Sequence, residues 1–362
     1  MASRVKVDLG ERSYDIVIGR GVLDELGTVC ADLGLKATAL IVSDSNVAPA
    51  YGDHCESALK AAGIQTSHAT VPAGETSKSH DQLIYLYTSA LDAGLDRSSF
   101  IVALGGGVVG DLGGYLAATY LRGIPCVQVP TTIVAMVDSA VGGKTGVNMP
   151  QGKNLIGSFW QPASVVADLA TLHSLPPREY ISGLAEVVKY GVIWDADFFA
   201  MLENRADDIL ERDESLLEEI IARCCEIKAD VVRLDEREGG VRAILNYGHT
   251  VGHAIENVTR YGTYLHGEAI SMGMVYAAGL SVLRQGFPKD HDRRLVSLLG
   301  SLGLPTTRPA CAWSDLRRAV AIDKKSVGQS PRFVLAETMG RVKIGCEVED
   351  AVLEEVWNGF GE

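Results

Sequence analysis

A membrane span needs about 18–20 consecutive apolar residues, and no run in this sequence reaches that length. The opening stretch, MASRVKVDLGERSYDIVIG, lacks the basic-then-apolar order of a secretory leader. These two absences set the expectation of a cytoplasmic protein with no membrane partner. Basic charge is also in deficit, with a formal net charge of -13. Contacts to nucleic-acid phosphates need a basic footprint, so nucleic acid is excluded as the main partner. A small anionic substrate is not excluded, because a local basic pocket can sit in an acidic protein. The seven cysteines have no regular spacing, and Cys224-Cys225 is an adjacent pair rather than a CxxC. A chain of this size has no need of disulfide staples, and reduced thiols are the expectation. Repeats, low-complexity tracts and a polar tail are missing as well.

What is there suits a globular protein. The chain has 362 residues, 47% of them hydrophobic and 22% charged, enough for one large domain or two ordinary ones with a sizeable core. Arg4 to Leu9 and Tyr14 to Ile18 alternate around Gly10-Glu11, which predicts a β-hairpin. Short apolar runs then alternate with helix-like segments: Ala39 to Val42, Phe100 to Leu104, Cys126 to Val129 and Val165 to Asp168. That alternation predicts a parallel α/β sheet, whose ligands bind at the carboxyl ends of the strands. After Pro176-Pro177, a helix start, the pattern turns mostly helical as far as about Asp323. Arg332 to Ala336 and Val342 to Val348 predict a small late hairpin. The expectation is an α/β half over 1–175 and a helical half over 176–362, with the chemistry in the cleft between them.

IVALGGGVVGDLGG, Ile101 to Gly114, puts Gly105, Gly107 and Gly110 in GxGxxG order after a strand and before a helix. Glycines there let the backbone approach a pyrophosphate, and the helix N-terminus favours negative charge. A tight turn with no ligand explains the same glycines. The acidic residue expected about 20 positions on is missing; Asp111 follows the last glycine, and Asp44 and Glu75 are the other carboxylates at loop positions. VDSAVGGKTGVNMPQGKNLIG then sets Asp138, Lys144, Lys153 and Asn154 among glycines. That reads as a polar loop in which the lysines meet phosphate or carboxylate as point charges.

GLAEVVKYG sets Glu186 and Lys189 three apart, on one helical face. A salt bridge is the plain explanation, and a metal-binding glutamate beside a substrate-binding lysine the sharper one. Arg242, Asn246, His249 and His253 follow at spacings of four, three and four, one polar stripe if the segment is a single helix. Burying four such groups unpaired would cost about 1–3 kcal/mol each. Lys228 lies on the preceding helix, and His266 sits in the LHGE turn. Glu186 with two of the three histidines would make a zinc set with positions open for substrate. HxxxH spacing points to His249 and His253, but Thr250 follows His249, so the HExxH protease mechanism is not supported.

Taken together, GGGVVGDLGGYLAATYLRG, PTT, VDSAVGGKTGVN, GKNLIGSFWQP, LPPREYISGLAEVVKYG, RAILNYGHTVGHAIE and LHGEAISMGM closely resemble the 3-dehydroquinate synthase family, within the sugar phosphate cyclases. The resemblance runs from about Val71 to Met274. It implies an N-terminal Rossmann-like NAD-binding α/β domain, a mainly α-helical C-terminal domain holding a divalent metal, zinc or cobalt, and a homodimer. By motif position the metal ligands are Glu186, His249 and His266, which leaves His253 as a proton-transfer group on the substrate side. NAD contacts carried over are Ala73, Gly74, Glu75, Thr76, Ser77 and Lys78, then Gly106, Gly107, Val108, Val109, Gly110 and Asp111. Thr131, Thr132, Asp138, Ser139, Lys144 and Lys153 continue the set, and Thr171, Leu172, His173 and Ser174 complete it. Asp44 and Asn46 match the end of the first strand. Substrate contacts carried over are Asp138, Lys144, Asn154, Lys189, Lys228, Arg242, Asn246 and His253. Arg122, in YLRG, matches an arginine that reaches a neighbouring subunit's phosphate. Lys324 and Lys325 match a late DKK motif, one lysine of which binds substrate.

The reaction so implied turns 3-deoxy-D-arabino-heptulosonate 7-phosphate into 3-dehydroquinate and phosphate. It runs through transient oxidation by NAD, elimination of phosphate, reduction, and an intramolecular aldol closure, in the shikimate pathway. Three rivals carry different signatures. Another sugar-phosphate cyclase, such as a 2-epi-5-epi-valiolone synthase, takes a substrate without the carboxylate, against which Asn154, Arg242, Asn246 and His253 speak. A metal-dependent alcohol dehydrogenase would show a serine after the glycines, where Val108 stands. An NAD-binding regulatory protein would lack a ligand or base.

Overall fold

The computed structural model describes residues 2–259, 262–323 and 331–360. Lys324 and Lys325 lie outside the described residues. The chain forms two compact units, Met1–Leu175 with Glu214–Arg237, and Pro176–Asp213 with Glu238–Glu362.

The first unit is built on a seven-stranded sheet. In chain order its strands are β1 (Ser3–Val7), β2 (Tyr14–Gly19), β3 (Ala39–Asp44), β4 (Thr66–Val71), β5 (Phe100–Gly105), β6 (Cys126–Pro130) and β9 (Ser164–Asp168), in spatial order β1-β2-β9-β6-β5-β3-β4. β1 and β2 are the expected antiparallel hairpin, and every other neighbouring pair is parallel. Strands buried on both faces read as unbroken apolar runs, and β5 and β6 are buried at every position. Period-2 alternation divides them. Phe100, Val102, Leu104, Val127 and Val129 pack with α1 (Leu26–Asp32) and α2 (Ala48–Ala61). Ile101, Ala103 and Cys126 pack with α3 (His80–Asp92) and α4 (Gly107–Thr119) on the other face. β4 was not in the sequence reading: Thr66-Ser67-His68 opens it with half-exposed polar residues, so the apolar-run signal is weak at this sheet edge. The stretch read as a polar loop contains a second hairpin, β7 (Lys144–Met149) with β8 (Gly152–Phe159).

The second unit carries α5 (Pro177–Ile193), α6 (Ala196–Asn204), α7 (Ala206–Leu210), α9 (His249–Val258), α10 (His266–Arg284), α11 (Lys289–Ser301), α12 (Trp313–Asp323) and α13 (Asp350–Gly359). The late hairpin is present as β10 (Arg332–Thr338) and β11 (Arg341–Glu347). The chain from Ser182 to Asn204 is divided between α5 and α6. Asp195 leaves the helical region and caps α6, its Oδ1 accepting the Phe198 amide at 2.9 Å.

One difference concerns the division of the chain. α8 (Glu214–Leu234) belongs to the first unit, not to the 176–362 half. Ser3 bonds Glu218 through both its amide and its hydroxyl, at 3.1 and 2.7 Å. Cys225 Sγ donates to the Met136 carbonyl at 3.4 Å, and Arg12 pairs with Glu236 just beyond the helix. An amphipathic helix shows the same period whichever partner it covers, so periodicity had no means of assigning it.

Candidate active site

In the second unit three helices converge. Glu186 and Lys189 sit mid-way along α5, both fully buried and ion-paired with each other. His249 opens α9 and His266 opens α10. The approach of α10 to α5 is set by Gly267: a Cβ there would stand 1.7 Å from the Ser182 carbonyl oxygen, one turn before Glu186. α9 and α10 meet as closely, since a Cβ on Gly273 would stand 2.0 Å from the Gly248 carbonyl oxygen. Only glycine allows these backbones to touch, and that contact brings the imidazoles to the carboxylate.

Glu186 Oε1 lies 3.5 Å from Nε2 of His249 and 3.5 Å from Nε2 of His266. It is buried and makes no hydrogen bond. Two ligands held tetrahedrally at zinc distances stand about 3.3–3.5 Å apart. The carboxylate and imidazole donor set, that spacing, and an oxygen left without a hydrogen bond therefore fit a divalent cation. These three residues form one of two groups among the described residues able to hold one; the other is His253, Glu256 and His266.

The electrostatics of Glu186 and His249 agree with the geometry, whereas His266 would give up a proton on binding a cation. Burial would raise the Glu186 carboxyl, but Lys189, His249 and His266 outweigh it and hold the group well below the usual carboxylate range. Burial and then the Lys189 charge push His249 down to about 3, so its ring is neutral and keeps a lone pair. Its Nδ1 faces the Tyr247 carbonyl at 3.0 Å, which leaves Nε2 for Glu186. For His266 burial is overcome by Glu186 and Glu256, and its value rises to about 10.

The polar stripe is not one helix. Arg242 and Asn246 lie on a 3-10 turn, Val241–Asn246, and Gly248 adopts φ 78 before α9 begins. His249 and His253 do share α9, with ring centroids 5.4 Å apart. Arg242 is buried, and Asn246 Nδ2 donates to Glu238 Oε1 at 3.1 Å. Two carboxylates at this site, Glu238 and Glu256, were not in the sequence reading. For Glu256 a signal existed, since it falls three residues after His253 on the same helix.

In the first unit Lys228 Nζ donates to Asp138 at both the carbonyl oxygen and Oδ1, each at 2.5 Å. Lys78 is buried and paired with Asp111, whose carboxyl burial pushes up despite that partner. Glu75 accepts from Asn148 Nδ2 at 2.8 Å, and Asn148 Oδ1 accepts the Asn154 amide at 2.9 Å. These bonds tie the AGETSK segment to the β7–β8 hairpin. Asn154 holds φ 55, a conformation that costs a non-glycine residue about 1–3 kcal/mol and gathers at functional sites.

A buried hydroxyl without a partner at Thr131 and another at Ser139 fit a polar cofactor. The helix N-terminus at Gly107 points the same way, where a Cβ would stand 3.0 Å from Ser139 Oγ. Gly110 has a packing role instead: its carbonyl accepts from Gln128 Nε2 at 3.0 Å, and a Cβ would meet Gln128 Oε1 at 2.8 Å. Other expected contacts are occupied locally. Asp44 Oδ1 accepts the amides of Asn46 and Val47, Thr132 Oγ1 caps Ala135 at 3.2 Å, and Thr171 Oγ1 bonds the Asp168 carbonyl at 2.7 Å. Leu172 is in the core, His173 pairs with Glu214, and Ser174 Oγ lies 2.6 Å from Tyr51 Oη.

Comparison with known proteins gives consistent results. A family model described as 3-dehydroquinate synthase N-terminal matches residues 68–182, and one described as 3-dehydroquinate synthase C-terminal matches 183–326. A 3-dehydroquinate synthase of Citrifermentans bemidjiense is 48% identical, covering 100% of both chains. One of Desulforamulus reducens is 50% identical over 96% of this chain and 97% of its own. Among solved structures, a 2-epi-5-epi-valiolone synthase from Streptomyces hygroscopicus with NAD+ and Zn2+ bound superposes with a TM-score of 0.89 at 26% identity, covering 98% of each chain. A 2-deoxy-scyllo-inosose synthase complexed with carbaglucose-6-phosphate, NAD+ and Co2+ gives 0.88 at 27%, over 99% of this chain and 100% of that one.

Proposed function

The chain belongs to the 3-dehydroquinate synthase family, and from that premise we propose that it converts 3-deoxy-D-arabino-heptulosonate 7-phosphate to 3-dehydroquinate and phosphate. Its cofactors are NAD and a divalent cation, zinc or cobalt. The observation that carries this reading is the buried Glu186 oxygen standing 3.5 Å from both the His249 and the His266 nitrogens. When bound, the cation supplies Lewis-acid polarisation of the substrate oxygen at the reacting carbon, and NAD supplies a hydride acceptor that becomes the donor.

The chain's own residues do the rest. Glu186, His249 and His266 hold the cation. Lys189 and Arg242, both buried, bind the substrate's anionic groups, and a desolvated ammonium or guanidinium binds carboxylate and phosphate more strongly than an exposed one. Asn246 orients hydroxyls, and His253 moves a substrate hydroxyl proton through a ring nitrogen. In the first unit Lys144, Asn154 and Lys228 make contacts of the same class, with Asp138 fixing Lys228. Lys78, Asp111, Thr131 and Ser139 belong to the cofactor's surroundings. Holding one flexible sugar through successive steps is chiefly a matter of orientation and water exclusion.

We assign the active form as a cytoplasmic homodimer in which Arg122 serves the neighbouring copy. Two features support the dimer. β8 exposes Leu155, Ile156 and Phe159 on the hairpin, and Leu121 and Arg122 hold φ 50 and φ 71, backbone strain of the kind kept for a contact. The test of the reaction is phosphate release from the heptulosonate phosphate with and without NAD and a chelator. Release that needs both cofactors is expected. Equal release from a seven-carbon sugar phosphate without the acid group would instead favour a cyclase of the valiolone type.

A further inference from the structure

Glu256 has no role in the reaction described so far. It lies on α9, three residues after His253, and only 5% of it is exposed. Burying a carboxylate is costly unless a partner answers it. Its Oε2 stands 3.4 Å from Nδ1 of His266, the ring whose other nitrogen faces Glu186. An imidazole that binds a cation through Nε2 carries its hydrogen on Nδ1, and an acceptor there fixes both the tautomer and the plane of the ring. His249 is held by the same device, with the Tyr247 carbonyl 3.0 Å from its Nδ1.

We propose that Glu256 is the positioning carboxylate of His266: it accepts the Nδ1 hydrogen and aims Nε2 at the cation held with Glu186 and His249. The proposal rests on the metal-centre reading above. A carboxylate in this position also makes the ring a better donor than a carbonyl does. His266 is half-exposed while His249 is nearly enclosed, so His266 is the ligand with more need of an external brace. Glu256 could alternatively be a ligand itself, since His253, Glu256 and His266 are close enough to hold a cation. Against that stands the orientation of His266, which already turns Nε2 towards Glu186.

Cobalt binding separates the cases. Stoichiometry, affinity by chelator competition and the visible absorption at saturating cobalt are measured on the full chain and on Glu256→Gln, which keeps the size and an acceptor oxygen but removes the charge. One ion per chain in both proteins is expected, with affinity 10–100-fold weaker in the variant and a displaced absorption band. A merely structural role would lower the melting temperature of the metal-free protein and leave the band where it was, which overturns the proposal. So does unchanged affinity, and so do two ions per chain falling to one, because Glu256 would then be a ligand. Glu256→Ala is a second variant with the same expectation and a larger loss; should it fail to fold, Glu256→Gln decides alone. Glu186→Ala is the reference. Cobalt retained there refutes the metal centre itself, whereas a failure confined to the Glu256 variants refutes only this inference.

Discussion

The Glu186–Lys189 pair allows stability and function to be pulled apart. Both side chains are buried, on adjacent turns of α5. Removing one member of such a pair costs about 3–5 kcal/mol, because the remaining charge loses its partner in a low dielectric. Glu186→Ala should therefore lower the melting temperature by roughly 6–20 °C, at about 2–4 °C per kcal/mol for a domain of 150–250 residues. Removing both charges is different. Replacing a buried pair by apolar side chains of similar volume is often neutral or stabilising by about 1–4 kcal/mol, so Glu186→Leu with Lys189→Met should recover most of the loss. Neither protein should bind cobalt or release phosphate. In the unaltered chain, cobalt at about 100 times its dissociation constant should add about 2.7 kcal/mol, or roughly 5–11 °C, and in both variants nothing. The assay is thermal unfolding of chelated protein with and without added cobalt, beside metal content per chain. A double variant as unstable as the single one would refute the electrostatic argument. A double variant that still gains stability from cobalt would refute the metal centre.

Three further outcomes are expected. His253→Ala should keep its cation and lose turnover, whereas Glu186→Ala loses both; equal metal loss, measured as metal per chain, would overturn the division of labour between the rings of α9. Gly267→Ala forces α10 off Ser182 and should destabilise by more than about 3 kcal/mol and weaken metal retention. Gly300→Ala, at a helical glycine with open space around it, should be neutral or stabilising by about 0.5–1 kcal/mol; urea unfolding compares the two. Glu56 accepts from Lys60, Thr66 and His68, and the Lys60 bond leads in lowering its carboxyl from 4.5 to about 2. Its folded value is depressed, so the stabilisation is present above about pH 4.5 and is lost as the pH falls towards 2. Its solvent-facing setting limits it to roughly 1 kcal/mol. Glu56→Gln should lower the melting temperature at pH 6, and the difference should shrink as the pH falls through about 2.

The sheet was legible where strands are buried on both faces, because β3, β5, β6 and β9 are runs of consecutive apolar residues. It was illegible at Thr66–Val71, where one strand edge is polar, and at Lys144–Phe159, where glycine and lysine density reads as loop although the backbone pairs. The site shows a deeper limit. Spacing alone could pair His249 with His253, and the rings of all three histidines do gather, at 5.4, 5.6 and 6.0 Å. Ring distance therefore does not choose the ligands. The choice lies in which nitrogens reach one buried oxygen, and that depends on two contacts far apart in sequence. Gly267 lets α10 touch Ser182, and Gly248, at φ 78, turns the chain so that His249 begins a new helix instead of continuing from Arg242. A helical stripe drawn through Gly248 assigns Arg242 and His249 to one surface that does not exist. Glycine in a polar stripe is thus a reason to break the stripe before counting its faces, and the same reading would have separated Arg242 from His249 without any relative to consult.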